Sequence, residues 1–259
     1  MTPPLSPRHA VLVIARFVLL EAFRSGLPWL ALACIAASAG FAAFLAHVAL
    51  TETRELQATV AAAMLRISAA FLIATYVVTT VAREANDRGL EFALTLPISR
   101  SVYYVGKLAG FACAAALLAI SFAAPLLLWA EPAPLGVWVL SLAAETALVA
   151  AMGLFFSMAL AEVVPAIALT AGLYLLGRSV GAIQAIAAGP LAQQQESALR
   201  GSVDALALLL PRLDQATRTE WLVYGLPPAS DALGALAGLA IYFALLVGAG
   251  LFDFSRRNL

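Results

Sequence analysis

The chain has 259 residues, 63% of them hydrophobic and only 12% charged, with a mean hydropathy of +0.94. These values lie far outside the usual soluble range and read as an all-α integral membrane protein. Fifteen basic and fifteen acidic residues cancel, and nothing in their distribution suggests nucleic acid.

The first apolar run, Ala10 to Leu20, contains Arg16 and is followed by Glu21 and Arg24. It has no convincing small-residue cleavage site and is not read as a removable signal peptide. Residues 8–24 carry too much charge to span a bilayer yet are too apolar for a free tail. The expectation is a helix lying in the plane of the cytoplasmic face. Val13, Phe17 and Leu20 fall near its charged arc, so a frayed extension of the first span is the alternative.

A hydrocarbon core of about 30 Å needs roughly 20 apolar residues in a helix. Six segments meet that requirement: Leu27–Leu50, Thr59–Ala82, Val102–Trp129, Val137–Leu160, Pro165–Ala188 and Ala232–Phe252. They read as a single domain over 1–259. With an odd-numbered crossing running outward, Arg8, Arg16, Arg24, Arg83, Arg88, Arg100, Lys107, Arg256 and Arg257 share one side, and Arg54, Arg200, Arg212 and Arg218 the other. The positive-inside bias then places both termini in the cytoplasm.

Between spans two and three lies a polar interruption, 83–101, in a stretch from Arg83 to Lys107 that holds seven of the thirty charged residues. Leu90, Ala93 and Leu94 share one helical face there, Asp87, Arg88 and Glu91 supply a polar rim, and Pro97 stops the helix. The connection 189–231 is the other long one. Its apolar run Val203–Leu210 is too short to cross, so a re-entrant or interface-lying helix is expected, with a plain solvent loop as the alternative. Trp221, Tyr224 and Pro227–Pro228 read as an interface belt leading into the last span.

Three ionisable residues fall inside predicted spans: Arg66, Glu145 and Arg178. Unpaired at mid-bilayer each costs about 2.5–3.5 kcal/mol on insertion scales. At 1.5 Å per residue their depths from the outer ends are roughly 10, 12 and 15 Å, close enough for pairing. Two readings stand: a satisfied structural cluster, or one arginine paired to Glu145 and the other left as a positive site on a translocation path. Thr170, Tyr174, Arg178, Gly181 and Gln184 form a polar stripe on one face of span five, which must face protein or a path. Gly106/Gly110, Gly177/Gly181 and Gly234/Gly238 have the spacing that lets helices approach closely.

Cys34 and Cys113 fall in apolar segments and are expected reduced and packed, with no metal motif. No catalytic constellation is visible. Gly106-Lys107 is the one Gly-Lys pair and lacks the rest of a Walker A loop, so no ATP site is expected in this chain.

The in-plane N-terminal helix, the loop after span two and the short elements before span six together resemble the transmembrane subunit of an ABC-2 type exporter. The residues that carry the resemblance are Arg83-Glu84, Gly89-Leu90-Glu91, Leu94-Thr95-Leu96-Pro97-Ile98-Ser99-Arg100 and Gly106-Lys107. The stretches Leu210-Pro211-Arg212-Leu213-Asp214 and Trp221-Leu222-Val223-Tyr224-Gly225 also look like the segment before the sixth span in some members.

The resemblance implies that Asp87–Leu96 is a coupling helix held by a separate ATPase subunit, with Arg83, Glu84, Asp87, Arg88, Gly89, Leu90, Glu91, Leu94 and Pro97 as coupling residues. It implies two ATPase subunits that bind ATP and Mg, a second permease copy or paralogue, and a place in the bacterial cytoplasmic membrane. The path residues would be Arg66, Glu145, Thr170, Tyr174, Arg178 and Gln184. The chain itself would be no enzyme and hold no cofactor or metal. The alternatives are an ATPase-driven assembly subunit acting on an extracytoplasmic partner at 189–231, and a membrane-embedded enzyme built on the three buried charges.

Overall fold

The computed structural model describes residues 7–48, 53–87, 99–160, 162–188, 201, 205–207 and 209–256. Among them there are helices and turns but no strand. In chain order the helices are α1 (Pro7–Arg24), α2 (Leu27–Val48), α3 (Thr53–Asn86), α4 (Arg100–Leu126), α5 (Pro132–Leu160), α6 (Val163–Ala188), the short α7 (Glu220–Tyr224) and α8 (Ala229–Arg256), with a 3-10 turn at Leu213–Gln215 before α7. Six of them, α2 to α6 and α8, are long and apolar enough to cross a membrane. The spans begin and end within a few residues of the expected bounds. The main difference is α3, which runs to Asn86, so Arg83 and Glu84 form its last turn and are not in a loop. Its 34 residues make a rod of about 51 Å, well beyond the roughly 30 Å of hydrocarbon.

The spans alternate in direction, which gives the bundle a foot, where α3 ends and α4 begins, and a head, where α2 meets α3 and α4 meets α5. At the centre stand α3, α4 and α5, whose apolar stretches are 56, 50 and 61% buried, while α2, α6 and α8 at 17, 28 and 17% form the periphery. Alanine makes the centre tight: Ala58, Ala61, Ala62, Ala69 and Ala70 of α3 are buried together with Leu65, Ile73 and Val77. Without a hydrophobic effect between helices in lipid, close backbone approach and dispersion hold such a bundle, and small residues permit both. Gly153 of α5 abuts Val77, and Tyr76 meets the Phe111 ring edge-on at 5.7 Å.

α1 packs by the same device. A Cβ at Gly106 would lie 2.9 Å from Ile14 Cβ, and one at Gly110 would lie 2.6 Å from Val18 Cβ. The Tyr76 hydroxyl donates to the Val18 carbonyl at 2.9 Å. The contacts advance together by four residues along both helices, from Ile14–Gly106 to Val18–Gly110, so α1 runs beside α4 over that turn. A helix perpendicular to that span would meet it at one crossing point. The untidy wheel also has a cause: small Ala10 and Ala22 with Val18 turn inward, and Leu12, Val13, Phe17, Leu20 and Phe23 turn away from the protein.

Of the three glycine pairs, Gly106/Gly110 receives α1 and Gly177/Gly181 receives the segment around the 3-10 turn, whereas among the described residues nothing lies within 4 Å of a Cβ placed at Gly234 or Gly238. Trp221, expected in an interface belt, is packed inside at 7% exposure, and Tyr224 is the aromatic that projects at 85%. Cys113, expected packed, is exposed on α4.

Candidate functional site

Two polar constructions stand out in this apolar bundle, one at the foot and one inside the head half. At the foot, Glu84 in the last turn of α3 accepts a hydrogen bond from Tyr103 at 2.7 Å and forms an ion pair with Lys107, both on α4. The Lys107 side chain is 4% exposed and that of Glu84 24%. Burial at this level means that each charge depends on the other. Tyr103 also stacks on Phe254 of α8 with centroids 6.2 Å apart, and Tyr104 lies 6.3 Å from the same ring. Gly250 leaves room for the Tyr104 hydroxyl. The ends of α3, α4 and α8 are therefore fastened together at the place where the chain leaves for residues 88–98. Arg83 and Asp87 are exposed beside this anchor. Arg88, Gly89, Leu90, Glu91, Leu94 and Pro97, and with them nearly all of the expected coupling helix, lie outside the described residues.

Inside the head half, the chain after Leu210 turns back into the bundle. Pro211, Leu213, Ala216 and Thr217 are all buried. Gly177 admits the Pro211 carbonyl and Gly181 the Asp214 carboxylate, so the paired glycines of α6 form a notch for this segment. Arg178 Nη1 donates to the carbonyls of Leu213 and, at 2.8 Å, Ala216, and lies 4.0 Å from Glu145. The fully buried Glu145 accepts a 2.9 Å hydrogen bond from Tyr174. Arg66 of α3 donates to the Thr217 carbonyl at 2.8 Å. The Thr217 backbone N–H donates to Ser141 Oγ of α5 at 2.9 Å, and the two hydroxyls are 3.3 Å apart. Thr217 has φ 48°, a left-handed conformation costly for a β-branched residue. The surrounding hydrogen bonds hold it there.

The three intramembrane charges thus come together, as their similar depths predicted, but the arginine left over from Glu145 is not open. Three backbone carbonyls of the inserted segment accept from the two guanidiniums. The polar stripe of α6 is consumed in the same way: Tyr174 and Arg178 as described, Gly181 beneath Asp214, and Gln184 accepting from Arg212 at 3.2 Å. Thr170 is buried and donates to the Ala166 carbonyl at 2.7 Å within its own helix.

Sequence reasoning missed the partners in the inserted segment, because a carbonyl belongs to every residue and has no sequence signal. Ser141 was findable, since it lies one helical turn before Glu145 on the same face of α5. Among the described residues no group of His, Cys, Asp or Glu is arranged to hold a metal. The sequence matches no protein-family model and no characterised protein.

Proposed function

We propose that the chain is the permease subunit of an ATP-driven exporter of the ABC-2 type, coupling hydrolysis by a separate ATPase to substrate movement out of the cytoplasm or inner leaflet. The observation that carries the proposal is the anchor of Glu84 on Lys107 and Tyr103, continued to α8 through Phe254. A force applied to residues 88–98 enters three spans at once through that anchor. A lever needs this stiffness, and a plain connecting loop does not.

On this reading the foot faces the cytoplasm of a bacterial cell, two ATPase subunits holding ATP and Mg dock there, and a second permease copy or paralogue completes the pathway. Closure of the ATPase pair moves the feet, and the bundle switches between inward- and outward-facing states. Arg66, Glu145, Tyr174 and Arg178 keep the head half closed in the resting state through the inserted segment. This role fits their geometry better than an open binding path. The reading is tested with Glu91→Lys combined with Leu94→Asp in the coreconstituted complex. The spans should fold normally while ATP-driven export is lost, and normal export would contradict the role of the segment.

One observation favours the second reading, an assembly subunit acting on a partner outside the cytoplasm. The head carries an open cavity of about 430 Å³ lined by Arg54, Glu55, Trp129, Glu131 and the exposed Tyr224. Such a mixed-charge, aromatic surface suits a protein partner. Glu131→Lys with Tyr224→Ala, which alters the rim of this cavity, would abolish an assembly role while small cargo still moved.

A further inference from the structure

The outward face of α1 presents two demands that water cannot meet together. Leu12, Val13, Phe17, Leu20 and Phe23 are 51–67% exposed, a run of bulky apolar groups that only hydrocarbon or protein covers favourably. Interleaved with them, Arg16 and Arg24 are exposed as well. Bulky apolar groups beside guanidiniums at the end of a bundle suit the boundary between acyl chains and headgroups.

At the C-terminal end of α1 this face narrows into a cleft of about 420 Å³, lined by Phe17, Leu20, Glu21, Arg24, Ser25 and, from the last turn of α3, Arg83. The Ser25 hydroxyl is already engaged, donating to the Ala22 carbonyl at 2.8 Å and accepting from the Leu27 N–H at 3.2 Å. Neither guanidinium has a hydrogen bond or an ion pair within 4 Å among the described residues. Glu21, the one acid lining the cleft, forms no such pair either. Two guanidiniums and one carboxylate leave a single positive charge in a cleft whose other walls are Phe17 and Leu20.

We infer that this cleft is a binding site for one anionic phospholipid. Its phosphodiester sits between Arg24 and Arg83, and its acyl chains lie along Phe17 and Leu20. The charge balance selects the class. A lipid with one net negative charge brings the cleft to neutrality, whereas a zwitterionic lipid leaves the excess uncompensated. Arg83 stands one residue before Glu84, so the bound lipid would brace the same anchor from its solvent side. The inference needs only that the foot of the bundle lies at a membrane interface, and it holds whether or not the permease reading does.

The test uses the full chain in nanodiscs or detergent, titrated with phosphatidylglycerol and, in parallel arms, phosphatidylethanolamine and inorganic phosphate. Native mass spectrometry reads lipid retention. The intact chain should retain one phosphatidylglycerol in preference to phosphatidylethanolamine and gain nothing from inorganic phosphate. At about 1 kcal/mol per basic residue near a charged lipid, Arg24→Gln with Arg83→Gln should weaken retention roughly 30-fold. Arg8→Gln with Arg16→Gln removes the same charge outside the cleft and should leave the single retained lipid in place. Because all four arginines are exposed, each variant should elute as the unaltered chain does in size exclusion. Equal retention of both lipids, stabilisation by inorganic phosphate alone, or equal losses in the two double variants would overturn the site.

Discussion

At the scale of single residues, the contacts that matter are those in which a buried charge has one irreplaceable partner. Lys107 is the clearest case. With its side chain 4% exposed, it has little water to fall back on if Glu84 is removed. Loss of one member of such a pair leaves the other desolvated, whereas loss of both does not. Lys107→Met is therefore expected to destabilise the chain by about 1–3 kcal/mol, a range lowered because Glu84 keeps some contact with solvent. Lys107→Met with Glu84→Gln should recover more than half of that loss. Thermal unfolding in detergent checks the cycle, and additive losses would mean that the pair is not coupled. The sequence marked Lys107 as a positive charge on the inner side and as half of a Gly-Lys pair, not as the partner of Glu84. The division of labour, with Gly106 admitting α1 and Lys107 holding α3, needed the packing.

At the scale of elements, the six spans were legible because apolarity sustained over a bilayer thickness leaves no other element to form. Their ends were less so. The turn Arg83–Asn86 is polar but has no helix breaker, so α3 continues through it. The inserted segment was the least legible part. Sequence spacing revealed a notch at Gly177/Gly181 but not what fills it, and the identical spacing at Gly234/Gly238 receives no neighbour among the described residues. The difference lies in the partner, Pro211 to Asp214, more than thirty residues away. If the notch holds the segment down, Gly181→Val should lift it, because any side chain there collides with the Asp214 carboxylate. The readout is the labelling rate of Ala216→Cys, a fully buried position, in a background lacking Cys34 and Cys113. The rate should rise at least about tenfold, equivalent to roughly 1.4 kcal/mol in the opening equilibrium. An unchanged rate would mean that Arg66 and Arg178 suffice to hold the segment.

At the scale of the whole molecule, composition indicated a helical membrane protein and the length of its apolar runs placed the spans. The physics of the candidate site was half visible. Similar depth brought Arg66, Glu145 and Arg178 together on paper, but the two guanidiniums donate to backbone carbonyls of the inserted segment, which composition cannot reveal. The proposed function rests on the foot of the bundle facing a nucleotide-driven partner. Asp87, the first residue of the proposed lever, is exposed. The most direct test is the labelling of Asp87→Cys, in a chain lacking Cys34 and Cys113, by a membrane-impermeant thiol reagent added to intact cells and to inside-out vesicles. The account predicts labelling only in the vesicles, and protection there when the ATPase subunits are bound. Labelling from outside intact cells would contradict it.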